Sequence, residues 1–348
     1  MAALRLEQYE TVHYNENLNP MGVPGSVKRA LLSNIDSVNR YPGDYYAGLK
    51  KAIAAYTGSS EDYVVLGNGS LDLLRLFVSL ISPAKAMVPI PSSKEYSGTL
   101  SLYGCEVVSY ELDEKKEYRL DMQDFISKLD SSFDMIILGN PNNPTSQIIS
   151  RDDMIALADT CKQLGIFLLV DEMYIEFTED YESLSSVSLA NDYDNIAIIR
   201  SVSKFFCIPG LRLAYAIMNN PDNMAIISMT STPNSISVLT AAACVDMFSD
   251  QGYVEQSRSM IYTERNLIYS AMSTNKHIKL YKPYGNFMLA KLLKEDVTAG
   301  KVAAHCNLKG LIIRNCEDFP GLDNSYIRFC FMKPEQNDLL VNTILDLL

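Results

Sequence analysis

The chain has 348 residues, 47% of them hydrophobic, and a formal net charge of −12. That length buries a large core and suits one large domain with a smaller one beside it. The acidic balance argues against nucleic acid or an anionic membrane surface as partner, and no apolar stretch is long enough to span a bilayer.

Met1 to Glu10 hold no apolar run of the kind that leads a secreted protein, so a cytoplasmic protein is expected. The seven cysteines are scattered, with no C-x-x-C pair, and read as reduced, buried thiols. His13, His277 and His305 lie far apart in the chain, which leaves no zinc set and no Ser-His-Asp triad; no metal is expected.

From Tyr63 to about residue 218, short β-rich runs alternate with helical patterns. Tyr63–Leu66 leads through Gly67-Asn68-Gly69 into an amphipathic stretch from Ser70 to Leu80. Ala86–Ile90, Cys105–Tyr110 and Asp134–Leu138 follow as strands. Ser150 is a good N-cap for a helix running to about Gln163, which Gly165 ends before the apolar run Phe167–Val170. Asn195–Arg200 is a further buried strand. Continuous apolar strands separated by helices predict a mostly parallel sheet covered on both faces, an α/β fold. After about residue 236 a helical region, Ser237 to Ser273, precedes four short runs: His277–Tyr281, Phe287–Lys291, Leu311–Arg314 and Tyr326–Phe329. They predict a smaller α+β domain over 236–348, next to a large domain over 42–235, with residues 1–41 packing on the smaller one.

Open α/β sheets bind ligands beyond the carboxyl ends of their strands, so the residues after each strand matter most. Gly67-Asn68-Gly69-Ser70 would let the backbone approach a phosphate at a helix start, though alone it reads better as a plain turn. Asn140-Pro141-Asn142-Asn143-Pro144 is a stiff loop able to fix an Asn side chain. Asp171 ends a buried strand, where a carboxylate is costly without a cationic partner such as a protonated pyridine nitrogen. Lys204 sits between Ser203 and the later Arg212, with Ser201 just before. A lysine that forms a Schiff base with pyridoxal phosphate needs such surroundings, the hydroxyls and the arginine holding the phosphate.

In this order, the motifs resemble the class I/II aminotransferase family of fold-type I pyridoxal-phosphate enzymes, over nearly the whole chain. The resemblance implies a large domain with a mostly parallel sheet between helices plus the smaller α+β domain. It implies Lys204 as the Schiff-base lysine, Asp171 as the pyridinium partner, and Asn143 and Tyr174 as contacts to the ring oxygen. Gly69, Ser70, Ser201, Ser203 and Arg212 fall on the phosphate-binding positions, and Arg328 on the arginine that grips a substrate α-carboxylate. Arg40-Tyr41-Pro42 resembles a motif whose tyrosine reaches the neighbouring subunit's cofactor, which implies a homodimer with Tyr41 acting in trans. The chain is similar to histidinol-phosphate aminotransferases and to O-phosphothreonine decarboxylases. Asn17-Leu18-Asn19-Pro20 fits both and makes Asn17 a substrate contact, while Arg314, in the tail, would bind a second anion.

Three departures from the family pattern stand out. Ser93 occupies the position of the aromatic that stacks on the ring, with Tyr96 close by as a possible substitute. Ser146 stands where the Asn loop has Gly, and the H-G-G-N stretch of the decarboxylases is absent. The expected function is an aminotransferase acting on a small anionic, optionally phosphorylated, amino acid or amine; the alternative is a decarboxylase of O-phosphothreonine or O-phosphoserine. A cofactor-binding regulator would carry an N-terminal DNA-binding domain, and a nicotinamide enzyme would carry G-x-G-x-x-G after its first strand. Neither is expected, since the charge balance is acidic and no G-x-G-x-x-G follows the first strand.

Overall fold

Alternation along apolar strands builds the core of the structure, a computed structural model that describes residues 11–232 and 234–348, with Asp44 described by its backbone only. The reading of Met1 to Glu10 lies outside the described residues. In chain order the strands are β1 (Val12–His13), β2 (Val64–Gly67), β3 (Lys85–Ile90), β4 (Glu106–Glu111), β5 (Met135–Gly139), β6 (Phe167–Asp171), β7 (Ile196–Ser201), β8 (Ala214–Ile217), β9 (Ile278–Leu280), β10 (Phe287–Leu292), β11 (Leu311–Ile312), β12 (Arg314–Asn315) and β13 (Tyr326–Cys330). In β5, β6 and β7, Ile137, Leu169, Ala197 and Ile199 face one packed layer, and Ile136, Leu138, Leu168, Val170, Ile196 and Ile198 face the other. A strand buried on both faces needs apolar residues at every position, which is why these runs are continuous.

The seven-stranded sheet has the order β2-β8-β7-β6-β5-β3-β4. Its pairs are parallel except those of β8, which runs against both β7 and β2. The reversal has a consequence for the site. Ala214, the first residue of β8, pairs with Ser201 on one side and Gly67 on the other, so Arg212 arrives at the same edge as the carboxyl ends of β2 and β7.

Local chemistry sets the helix ends as expected. Ser150 accepts a hydrogen bond from the Asp153 amide to start the helix Arg151–Leu164, and Gly165, at φ 76°, closes it. Ser70–Ile81 buries Leu73, Leu74, Phe77 and Val78 on one face. The expected helical region after 236 comprises Val238–Val245, a 3₁₀ turn at Asp246–Ser249 and Gln251–Met272, the last capped by Asp250 accepting from the Tyr253 amide. The acid's side chain restarts the helix where a continuous one would have carried it through. Val238–Val245 packs against the helices Gly25–Ser33 and Gly43–Thr57.

A second, four-stranded antiparallel sheet has the order β12-β13-β10-β9, and places Arg314 directly opposite Arg328. β1 pairs in parallel with β11. Among the described residues, no helix is long and apolar enough to cross a membrane. The seven cysteines are free, and all but Cys207 are buried.

Candidate active site

Lys204 lies in one turn of helix, Val202–Phe205, that follows β7 directly. Ser201 caps the turn by accepting from the Ser203 amide, and the two hydroxyls are 3.0 Å apart. The Lys204 amine donates to the carbonyl of Glu16 at 2.8 Å. That partner belongs to the turn and loop segment Tyr14 to Pro20, which follows β1. Asn19 fastens it through the Phe205 carbonyl at 2.7 Å and the Ser257 hydroxyl at 2.8 Å, and its amide donates to the Lys204 carbonyl. Asn17, buried and at φ 57°, donates to the Tyr174 hydroxyl at 3.3 Å.

Asp171 ends β6 level with Gly139 of β5. One carboxylate oxygen accepts from the Tyr96 hydroxyl at 2.8 Å, the other from the Met173 amide at 3.0 Å. Burial raises its pKa, while these two donors pull it down. Among the described residues no Lys or Arg pairs with it. The next residue differs completely. Glu172 is fully buried and takes Arg200 Nε and Nη2 at 3.1 and 2.9 Å, with the Ser185 hydroxyl and the Ser186 amide. Strand alternation sends one acid toward the site and its neighbour into a closed ion pair.

The anion end is built around Gly69. Its φ is 92°, and a Cβ there would stand 2.2 Å from Arg212 Nη2, so only glycine lets the guanidinium in. Arg212 is itself at φ 55° and donates to the Pro209 carbonyl at 3.2 Å. With Ser70 opening a twelve-residue helix and the hydroxyls of Ser201 and Ser203 opposite, donors and a positive helix end converge. The register Gly67–Ala214–Ser201 gathers these five residues at one edge.

On the facing sheet, Arg328 is buried and donates to the Asn143 side-chain carbonyl and, at 2.7 Å, to the Asn15 carbonyl. Arg314 is held otherwise. Both Asp318 oxygens accept from its Nη2 at 2.8 Å, and Lys94 reaches the same Asp318 at 2.6 Å. Those two cations hold the Asp318 carboxyl below its usual range despite partial burial.

The structure thus gathers Lys204, Ser201, Ser203, Gly69, Ser70 and Arg212 at one edge, and ties Asn17 to Tyr174 and Asn143 to Arg328. Tyr41 is 84% exposed and is not among the residues gathered here. Ser146, at φ 60°, accepts from the amides of Gly285 and Tyr284 at 2.9 and 3.2 Å; these bonds offset the strain a glycine would avoid. The carbonyls of Asn15 and Glu16, the Asn19 clamp and the Tyr96–Asp171 bond were not read from the sequence. Asn-x-Asn-Pro was the one available signal for the segment.

These residues fit pyridoxal phosphate. A donor-rich pocket that excludes a Cβ suits its phosphate. A half-buried carboxylate with two neutral donors and no side-chain cation suits a protonated ring nitrogen.

Compared with known proteins, the chain matches the family described as Aminotransferase class I and II over residues 11–344. A threonine-phosphate decarboxylase of Salmonella typhimurium is 30% identical, over 97% of this chain and 92% of its own. A histidinol-phosphate aminotransferase of Methanosphaera stadtmanae is 28% identical, over 96% and 89%. Among solved structures, the histidinol-phosphate aminotransferase from Clostridium acetobutylicum aligns with a TM-score of 0.89 at 31% identity, covering 97% of this chain and 98% of that one. The chain therefore belongs to the class I and II aminotransferase family, an enzyme of fold-type I whose cofactor is pyridoxal phosphate.

Proposed function

We propose that the chain is an aminotransferase for a small amino acid or amine carrying a further anion, with Lys204 as the cofactor's covalent anchor and as the proton carrier at the substrate's Cα. The contact between Arg328 and Asn143 carries this reading. Asn143 takes the position that in the family touches the ring oxygen, and Arg328 is fixed against it by two acceptors. An arginine so placed would grip and retain the substrate carboxylate, leaving Cα–H as the bond open to cleavage. Bound pyridoxal phosphate supplies the sink for the electron pair left at Cα. Asp171 would pair with the ring nitrogen, Tyr174 and Asn143 would contact the ring oxygen, and Gly69, Ser70, Ser201, Ser203 and Arg212 would hold the phosphate. Lys204 takes and returns the proton as general base and acid, and Asn17 lines the substrate side.

A second reading is decarboxylation of O-phosphothreonine or O-phosphoserine. Arg314 lies level with Arg328, and both could serve a phosphate, which frees the carboxylate to turn out of plane. The Salmonella relative supports this reading. The two are separated by mixing the holoenzyme with histidinol phosphate, O-phosphothreonine and O-phosphoserine, and measuring released CO₂ beside conversion of cofactor to its pyridoxamine form. The pyridoxamine form without CO₂ is expected; CO₂ without it overturns the proposal.

A homodimer goes with this reading. Leu32, Ile35, Val38 and Tyr41 form an exposed apolar run, the kind of surface a second subunit covers, and Tyr41 would reach the partner's phosphate site. The proposed units are a large domain over 42–235 and a small one over 236–348, with the N-terminal segment joined to the latter through β1 and β11. The acidic, helix-rich chain suits a cytoplasmic enzyme.

A further inference from the structure

The sequence departs from its family at Ser93, and the structure brings Tyr96, one turn along the helix Lys94–Leu102, to Asp171. We propose that Tyr96 is a positioning residue: its hydroxyl fixes the Asp171 carboxylate, ionised and aimed, for the ring nitrogen of the cofactor. This rests on the reading of Asp171 given above.

Three observations support it. Tyr96 is buried and its hydroxyl donates to Asp171 Oδ2 at 2.8 Å, while Met173 N–H holds Oδ1 at 3.0 Å. Each oxygen thus has one donor, which fixes the carboxylate's rotation. The cavity against Asp171, about 60 Å³, is walled by Leu74, Ile137, Leu169 and Ile199, which offer no hydrogen bond. Its polar lining is Ser70, Ser93, Glu95, Tyr96 and Asp171 itself, so among the described residues Tyr96 is the one side chain that donates to the acid. The neighbouring acid Glu172 opposes a negative charge there, while Glu95 lines the cavity at its exposed end.

Burial disfavours the charged form of a carboxyl, and a hydrogen bond to that form restores it. With serine at position 93, no aromatic there stacks on the ring, so hold on its nitrogen depends more on the Asp171–Tyr96 pair. By keeping the ring nitrogen of a bound cofactor protonated, the Asp171–Tyr96 pair would lower the pH midpoint of that cofactor's visible band.

The test reconstitutes the apoprotein with pyridoxal phosphate and compares Tyr96→Phe and Asp171→Asn with the parent chain. Phenylalanine keeps the packed ring, and melting temperature of the apoprotein checks folding. The dissociation constant and the pH midpoint of the bound cofactor's visible band are measured. Tyr96→Phe should weaken binding about tenfold, the worth of one hydrogen bond to a charged group, and raise the midpoint. Asp171→Asn should move both further the same way. If Asp171→Asn shifts both and Tyr96→Phe leaves the midpoint at its parent value, Tyr96 is packing alone and the inference fails. If Asp171→Asn itself shifts neither, the underlying reading of Asp171 fails.

Discussion

The two walls of the site are built on opposite principles. The wall formed by the seven-stranded sheet fixes its polar groups with short-range, neutral partners: Asp171 with Tyr96 and Met173, Ser201 with Ser203. Its one strong ion pair, Glu172 with Arg200, is closed off behind the acid that faces the site. The wall formed by the four-stranded sheet carries arginines whose partners differ in exposure. Arg328 is buried and held by two carbonyl oxygens, whereas Arg314 is partly exposed and held by an acid that also binds Lys94. Carbonyls leave Arg328 its full charge. Asp318 neutralises much of the charge on Arg314, and an incoming anion must compete with it. The first wall suits a permanent cofactor, the second a substrate that comes and goes.

Breaking the cofactor wall should have the largest effect. Lys204→Ala is expected to abolish the visible band of the bound cofactor and to lower turnover by a factor on the order of 10² to 10⁴, since both anchor and proton carrier are lost. A visible band that survives would remove Lys204 from its role. The substrate wall should respond unequally. Arg328→Lys is expected to lower kcat/KM about a hundredfold for every substrate, because it breaks a buried, two-pronged contact. Arg314→Gln should cost about tenfold or less, and only for substrates with a second anion, since its charge is half-exposed and already paired. Steady-state kinetics on substrates with and without phosphate separate these outcomes, and equal losses would dissolve the contrast between the two arginines.

The smallest effect is on stability. Glu176 lies behind the cofactor wall, where burial pushes its carboxyl up to about 7; Arg200 and Arg258 pull it down and Glu172 raises it. In the unfolded chain the same carboxyl ionises near its usual value, below pH 5. The unfolded state therefore loses its proton first, and stability falls as pH rises toward 7. Glu176→Gln removes this contribution, so its melting temperature should change by a few degrees less than the parent's between pH 5 and pH 8. Calorimetry at both pH values checks it, and parallel curves would refute the assignment.

Much of this wall was legible in the sequence. Apolar runs such as Phe167–Val170 state their burial directly, because a strand covered on both faces has no polar position to spare. Ser150 and Gly165 mark a helix by satisfying its end groups within a few residues. Lys204 and Asp171 are legible because they follow such strands, and Arg212 as the arginine that comes after the Lys204 motif. Tyr174 and Asn143 needed the family resemblance, since a tyrosine or asparagine in a loop carries no distinct physical signal.

The sequence by itself therefore determined a mostly parallel sheet, its strands other than β8 and the residues at their ends, all of which follow from local periodicity and capping. Only the tertiary structure decided that β8 runs backwards and delivers Arg212, that Tyr96 turns its hydroxyl to Asp171, and that Asn19 clamps a distant segment over Lys204. Asn17 and Tyr174 meet across 157 positions of chain. Contacts of that range arise from the packing of whole layers, and no short window of sequence holds the information to place them.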